Sequence, residues 1–369
     1  MADKPRFEGE KSGKVRLNEL CSKGRSSLRQ KDVFNDGPYV VYGASGIVGA
    51  MSSFQNAVPY VALVKDGAGV GRANACEANS SVLGTMQALI PREGVNRDYL
   101  LHLVRSLRLG DGFSGSTIPH IYFKDYGKLS VPFHSPAEQH QIVNSLSVVE
   151  RQIGIANQQL NALDTFVKSR FVEMFGGSEW PSKSIGELAT DIRYGTSKKA
   201  SERGEHAYLR MNNMTDDGKL DFADVKYIDL SEDELTKCQV VDGDLLFNRT
   251  NSREKVGKTA VFHGHTPMVI AGYIIRVRLG DEVRSDYLST FMNLTSTKAM
   301  LRTIAKGAVH QANINSKELA ALKVPVAPIE LQDRFLAFVS QVDKSRFIAQ
   351  QQIEKLQMLY DSLAQEYFA

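Results

Sequence analysis

The stretch "IVNSLSVVERQIGIANQQLNALDTFVKSRFVEM", Ile142 to Met174, decides how the rest of the chain is read. Ile142, Val149, Ala156 and Leu163 recur every seven residues, and Leu146, Ile153, Leu160, Val167 and Met174 fall between them at steps of four and three. That spacing sets apolar side chains on one narrow seam of a helix. A second run near the end of the chain does the same. There Phe335, Val342, Ala349, Leu356 and Leu363 keep the heptad, Val339, Ile353, Tyr360 and Tyr367 interleave, and Arg346 breaks one slot. One offset, 342 − 149 = 193, carries Val149 to Val342, Leu163 to Leu356 and Phe175 to Phe368. At 1.5 Å per residue each helix is about 50 Å long. Neither seam can face water alone, so the two are expected to bury each other. The contact residues are then Ile142, Leu146, Val149, Ile153, Leu160 and Leu163 on one helix and Phe335, Val339, Val342, Ile353, Leu356 and Leu363 on the other. The residues leave one alternative, in which each helix folds down onto its own neighbouring block.

The same offset duplicates what precedes each helix. "GSTIPHIYFKDYGKLSVPF" (Gly115–Phe133) is matched by "AVHQANINSKELAALKVPV" (Ala308–Val326), with Lys124 answering Lys317, Leu129 answering Leu322 and Pro132 answering Pro325. Further upstream the matches loosen in spacing: "LNEL" at Leu17 with "IGEL" at Ile185, "GVGRANA" at Gly69 with "KVGKTAV" at Lys255, and "DYLLHLV" at Asp98 with "DYLSTFM" at Asp286. The plan is globular, helix, globular, helix, with boundaries at 1–135, 136–176, 177–326 and 327–369. "GGSEWPS" (Gly176–Ser182) supplies the glycines and proline of a joint. Within each globular block short β-type runs such as "YVALV" and "DLLFN" alternate with turn residues and one or two short helices, an α+β pattern.

A chain of 369 residues has room for two or three domains. No apolar run approaches the roughly 18 residues that cross a bilayer, and the charged start "MADKPRFEGEKSGK" is unlike a secretory leader. These features place the protein in the cytoplasm, with no membrane partner. Three scattered cysteines, Cys21, Cys76 and Cys238, argue against a disulfide framework or a zinc knuckle. Net charge is only +3, yet residues 1–135 hold 17 Lys and Arg against 12 Asp and Glu, and residues 177–326 hold 21 against 20. Binding to nucleic acid then requires the cations to cluster in space.

Enzyme motifs fail one by one. Gly67-x-Gly69-x-Gly71 lacks the spacing of a dinucleotide cradle, and "VGKTA" (Val256–Ala260) has Ser252 where a phosphate-binding loop needs its first glycine. His263-x-His265 has no nearby cysteine or carboxylate in sequence to complete a metal site, and Asp216-Asp217-Gly218 reads as a turn. No nucleophile elbow occurs. No catalytic residue and no metal ligand is assigned.

The pieces "YGASGIVGAM" (Tyr42–Met51), "VKDGAGVGRANACE" (Val64–Glu77), "GTMQALIP" (Gly84–Pro91), "STIPHIYFKDYGKLSVPFHSPAEQHQIV" (Ser116–Val143), "GDLLFNRTN" (Gly243–Asn251) and "INSKELAALKVPVAPIELQ" (Ile314–Gln332), in this order and duplicated ahead of heptad helices, resemble the specificity (S) subunit of type I restriction–modification systems. The resemblance covers nearly the whole chain. It implies two target recognition domains, each reading one half of a bipartite, asymmetric site on double-stranded DNA. The helices would lie antiparallel as an intramolecular coiled coil and set the gap, at most about 15 base pairs for a 50 Å rod. The subunit itself would be non-catalytic and bind no cofactor. Two methyltransferase (modification) subunits would carry S-adenosylmethionine, and a restriction/translocase subunit, where one is present, would use ATP and Mg. The repeat and heptads alone also permit a non-catalytic two-domain protein-binding adaptor.

Affinity for DNA comes from Lys and Arg on phosphates, and specificity from Arg, Asn, Gln and Ser on base edges. The candidates in the first block are Tyr42, Ser45, Lys65, Arg72, Ser116, Thr117 and His120. In the second they are Arg210, Asn212, Asn213, Arg249, Asn251, Arg253, Lys258, His310, Gln311 and Asn313. "LRMNNM" (Leu209–Met214) offers amides at a strand end, and "NRTNSRE" (Asn248–Glu254) stands where the first block has "KDGAG" (Lys65–Gly69).

Overall fold

The computed structural model describes residues 13–67, 69–112, 119–177, 179–308 and 311–369. Among them five helices run eight residues or longer: α1 (Arg97–Ser106), α2 (Pro136–Phe175), α3 (Ser285–Met292), α4 (Thr295–Ile304) and α5 (Ile329–Phe368). The start of α2 is fixed by a reciprocal cap. Ser135 donates to Glu138 Oε2 from its amide at 2.8 Å and its hydroxyl at 2.7 Å, and the Glu138 amide lies 3.4 Å from Ser135 Oγ. Both α2 and α5 are 40 residues long, in line with the heptad runs. No helix among the described residues is long and apolar enough to cross a membrane.

The chain forms two compact units, one built from residues up to Asn157 together with Gln350–Ala369, the other from Gln158–Ala349. Each helix is therefore shared, and the four sequential blocks 1–135, 136–176, 177–326 and 327–369 are not the packing units. The reason lies in the seams. In the first unit Ile142, Leu146 and Val149, early in α2, share one apolar cluster with Tyr360, Ala364 and Phe368, late in α5. In the second unit Val167, Phe171 and Phe175, late in α2, share a cluster with Phe335 and Val342, early in α5. Early residues meet late ones in both units, so the strands of the coiled coil are antiparallel. All twelve residues placed at the seam are buried or half-buried, with Leu146 and Phe335 fully so. The helices do not stand clear of the globular blocks either. The first cluster also holds Leu17, Tyr99, Val131 and Phe133, and the second also holds Ile185, Tyr287 and Val324. Arg346, the break in the heptad, reaches Asp164 of α2 at 2.6 Å.

Each unit repeats one sheet plan. A four-stranded antiparallel sheet has the order Cys21–Lys23, Met86–Pro91, Tyr60–Val64, Ala73–Cys76 in the first unit. Its counterpart runs Ala189–Tyr194, Ile274–Leu279, Leu245–Asn248, Thr259–Val261. Tyr60–Val64 and Leu245–Asn248 are buried at every residue, which is why they read as continuous apolar runs. A second sheet in each unit contains a parallel pairing, Val41 with Ser81 and Tyr208 with Val269.

The duplication extends to single hydrogen bonds. Gln139 and Gln332 are both 0% exposed. Gln139 accepts from the Asn96 amide at 2.8 Å and donates to the carbonyls of Gly94 and His134 at 3.1 and 2.8 Å. Gln332 accepts from the Arg284 amide at 2.9 Å and donates to the carbonyls of Glu282 and Ala327 at 3.1 and 2.8 Å. Tyr99 and Tyr287 likewise donate to the carbonyls of Pro132 and Pro325, each at 2.9 Å. These side chains pin the first turn of each long helix to the segments on either side of it.

Candidate nucleic-acid interface

Each central strand ends in the same crossing. In the first unit the Val64 amide donates to Arg72 O at 2.8 Å and the Gly71 amide to Val64 O at 2.9 Å. Beyond Val64 the chain runs beside Pro119–Ile121, with the Ile121 amide donating to Lys65 O at 3.0 Å. In the second unit the Asn248 amide donates to Lys258 O, and the Gly257 amide to Asn248 O, each at 2.8 Å. The Ile314 amide then donates to Arg249 O at 2.9 Å. Superposing these bonds makes Lys65 the counterpart of Arg249, Asp66 of Thr250, His120 of Asn313 and Arg72 of Lys258. The pairings Asp66 with His120 and Thr250 with Asn313 are both cross-strand neighbours.

The chemistry at the shared position differs. Asp66 Oδ1 lies 2.7 Å from His120 Nδ1, and Lys65 donates to Asp66 Oδ2 at 2.5 Å. Partial burial pushes the Asp66 carboxyl up, but hydrogen bonds from Lys65 and His120 outweigh it and hold the group below its ordinary range. The His120 ring stacks on Tyr122 at 6.3 Å, and Lys124 Nζ stands 5.3 Å from the centre of that tyrosine. In the second unit Thr250 Oγ1 donates to Asn313 Oδ1 at 2.9 Å, a neutral pair. Arg249 lies 4.8 Å over the ring of Tyr194 and donates to Gly272 O at 3.3 Å, so its guanidinium is held in place. Asn251 donates to Asn248 Oδ1 at 3.2 Å and accepts from the Ser252 amide at 2.9 Å.

The remaining candidates divide by burial. Ser45, Asn212 and Gln311 are exposed. Tyr42 is half-buried and packs against the cluster of Tyr60, Val82 and Met86. Arg72 sits near its own turn, with Nε 3.4 Å from Gly69 O. Arg210 is tied to Asp224 at 2.7 Å, and Asn213 is turned inward. The Asn213 amide accepts from the Arg210 amide at 2.9 Å and donates to the carbonyls of Asp221 and Asp224 at 2.9 and 3.0 Å, so it offers no edge to a ligand. Arg253 lies 3.3 Å from Ala305 O. The Lys258 side chain is 13% exposed, pairs with Asp216 at 2.7 Å and donates to Met214 O at 3.0 Å. Ser116, Thr117 and His310 lie outside the described residues.

Several groups near these positions carry no motif of their own. Tyr194 and Tyr273 are exposed aromatics beside Arg249, whose amide donates to Tyr273 O at 2.9 Å. Lys298 and Arg302 of α4 stand over the Gly257 turn. The sole signal for the tyrosines was their flanking of glycine turns, "RYGT" and "AGYI". His263, by contrast, is engaged by Asp286 at 3.0 Å and Asp242 at 3.4 Å; the hydrogen bond it donates to Asp286 leads in raising it to about 9. All three cysteines are buried, and burial pushes Cys21 and Cys76 up to about 12.

The chain spans about half the length of the curated relatives it matches. It is 28% identical over 182 residues to a provisionally named type I restriction enzyme MjaX specificity subunit of Methanocaldococcus jannaschii, covering 48% of this chain and 43% of that one. It is 24% identical over 279 residues to the type I restriction enzyme EcoKI specificity subunit of Escherichia coli K12, covering 69% and 60%. In three dimensions it is similar to the S subunit of a type I restriction–modification system from M. genitalium, with TM-score 0.50, 14% identity and coverage of 99% and 98%. A chain from a structural study of complex assembly and conformational transition in the type I R-M system gives TM-score 0.53, 16% identity and coverage of 100% and 99%. The model of the type I restriction modification DNA specificity domain matches twice, over residues 9–165 and 177–358, and the chain belongs to that family.

Proposed function

We propose that the chain is the DNA sequence-recognition subunit of a type I restriction–modification complex, acting in the cytoplasm. Each unit reads one half of a bipartite, asymmetric site, and the paired helices set the gap between the halves. The chain itself catalyses nothing and holds no cofactor. Two methyltransferase subunits dock on it and bring S-adenosylmethionine, and a restriction subunit, where present, brings ATP and Mg. One observation carries this reading. A frame repeated down to single hydrogen bonds presents Asp66 with His120 in one unit and Thr250 with Asn313 in the other. An invariant frame with unlike polar pairs is what two unlike half-sites require.

The test is methylome sequencing of a host given this chain and a partner methyltransferase. A new methylated motif with two specified halves and an unspecified gap is expected. Absence of any new motif, with the complex shown to assemble, would leave the protein-binding adaptor as the better account.

A further inference from the structure

Among the described residues, the second unit contains a helix with no counterpart in the first. After α3 the chain enters α4, whereas after α1 it only turns through residues 107–112. α4 is seated by Leu301, which is 0% exposed and packs on Gly257. Gly257 has φ +82°, which favours glycine, and a Cβ there would stand 2.8 Å from Leu301 Cδ1, so any side chain would also push on the leucine that seats the helix. This seating brings Lys298 and Arg302, one turn apart on the helix, over the loop below. Lys298 donates to Gly257 O at 2.6 Å, and Arg302 lies 3.5 Å from Glu254 O. Lys258 follows Gly257 directly, and Lys168 arrives from α2.

Four cations from three elements thus come near one another: Lys168, Lys258 and Arg302 all act on Lys298, Asp216 opposes them from its pair with Lys258, and Lys168 lines a cavity that also holds Asp164 and Asp217. Burial, then the charges of Lys168, Lys258 and Arg302, lower Lys298 to about 8. Gathering like charges in a half-dry site is unfavourable for the fold by itself. The first unit shows that the frame does not demand it. The offset of 193 carries Lys168 to Asp361, and Asp361 lies 3.9 Å from Arg108. Arg105 is likewise matched, by Glu150 at 2.6 Å. Equivalent ground carries two ion pairs in the first unit, whereas in the second, among the described residues, Lys258 alone of the four cations is ion-paired, to Asp216, and Lys298 and Arg302 rest on backbone carbonyls.

We propose that Lys168, Lys258, Lys298 and Arg302 form a seat for a phosphodiester of the DNA backbone, present in the second unit and absent from the first. The inference rests on the DNA-reading function above and adds to it a sequence-independent grip. Ammonium and guanidinium donors match the acceptor oxygens of a phosphate, and such contacts position a protein without reading sequence. The second unit therefore holds any duplex more firmly than the first, and base readout by the first unit is added to a complex already moored at one end.

The experiment uses the full chain assembled with its methyltransferase partner. Binding to the bipartite target and to a scrambled duplex of equal length is measured from 50 to 300 mM KCl. Arg302→Gln is exposed and safe for folding. It is expected to weaken both duplexes by the same factor, about 3- to 10-fold, and to reduce the slope of log K against log salt by about one. Lys168→Asp, which copies the first unit, is expected to do at least as much. Lys298→Gln should in addition abolish the proton uptake that accompanies wild-type binding at pH 8, read by calorimetry in two buffers of different ionisation enthalpy. Unchanged affinity and slope in Arg302→Gln and Lys168→Asp, with target discrimination intact, overturn the seat and leave the DNA-reading function standing. A loss confined to the target sequence overturns it too, since that would mark a base contact. Release of the methyltransferase from the variants would assign the cations to a protein interface and overturn it. Failure of the wild-type complex to bind either duplex removes the function and the seat together.

Discussion

The two units agree where side chains bridge buried backbone and disagree where they face outward or meet the helices. Gln139 and Gln332 make the same three hydrogen bonds, and Tyr99 and Tyr287 the same one. At the strand crossing, Asp66 with His120 stands against Thr250 with Asn313. Against the helices, His102 bonds Tyr360 at 2.8 Å, while the same alignment that pairs Asp98 with Asp286 puts Thr290 and Val167 at those places. The difference teaches which positions hold the frame. A buried amide with three partners cannot change without stranding them. A polar pair at a strand end can change its chemistry and leave the frame intact.

The firmest way to break the comparison is at the glutamines. Gln332→Ala strands one amide and two carbonyls and should cost about 2–3 kcal/mol. Gln139→Ala should cost the same in the other unit. Trp180, the single tryptophan, donates to Phe175 O at 3.0 Å and reports on the second unit. Its urea transition should shift to lower denaturant in Gln332→Ala and stay in place in Gln139→Ala, where exchange protection of residues 97–106 falls instead. Equal shifts of the tryptophan signal in both variants would mean the units do not unfold separately.

The sequence made the frame legible because its signals are local or periodic. Heptads announce both helices, continuous apolar runs announce the central strands, and the constant offset announces the duplication. The candidate interface is only half legible, because it is made by register between distant strands. Nothing around Asp66 names His120 as its partner, 54 residues on. Asn213 looked like a base-edge amide from its neighbours in "LRMNNM", yet the turn folds it inward onto Asp221 and Asp224. Arg249 was legible as a cation but not as one clamped on Tyr194. Lys298 was missed because α4 carries no motif, although the substitution of Lys168 for Asp361 under the offset was there to be seen.

A second test uses acid. His102 is 1% exposed, and burial, helped by Arg105 and opposed by Asp98, lowers it to about 4. Tyr360 faces it across the hydrogen bond, itself near Arg105, Glu150 and Asp361. His134, packed on Tyr99 and Phe368, is also lowered by burial. An unfolded histidine titrates near 6.5, so between pH 6.5 and 4 the unfolded chain binds more protons than the folded one. The His102 contribution is complete above pH 6.5 and falls as the pH drops, by about 2 kcal/mol at pH 5. In the second unit His263 is already charged across this window. The first unit should therefore open first, seen as faster exchange in residues 97–106 and 356–368 while Trp180 fluorescence holds. His102→Gln should remove most of that acid sensitivity. Simultaneous loss of both signals would assign acid unfolding to the carboxylates common to the two units.

The smallest effect sharpens the comparison most. Asp66→Thr with His120→Asn gives the first unit the pair of the second, on a crossing whose backbone bonds are the same. If the pair reads a base, the double variant should lose preference at one base pair of the first half-site by about 5- to 10-fold, on the order of 1 kcal/mol, and leave the second half-site untouched. Methylation rates across single-base variants of the target give both numbers in one experiment. An unchanged profile at every position would make the two pairs interchangeable parts of the frame, and half-site identity would then have to come from the exposed side chains alone. Each single change should lose nearly as much as the double, because removing one member leaves the other without its cross-strand partner, which is the behaviour of a coupled pair and not of two independent contacts.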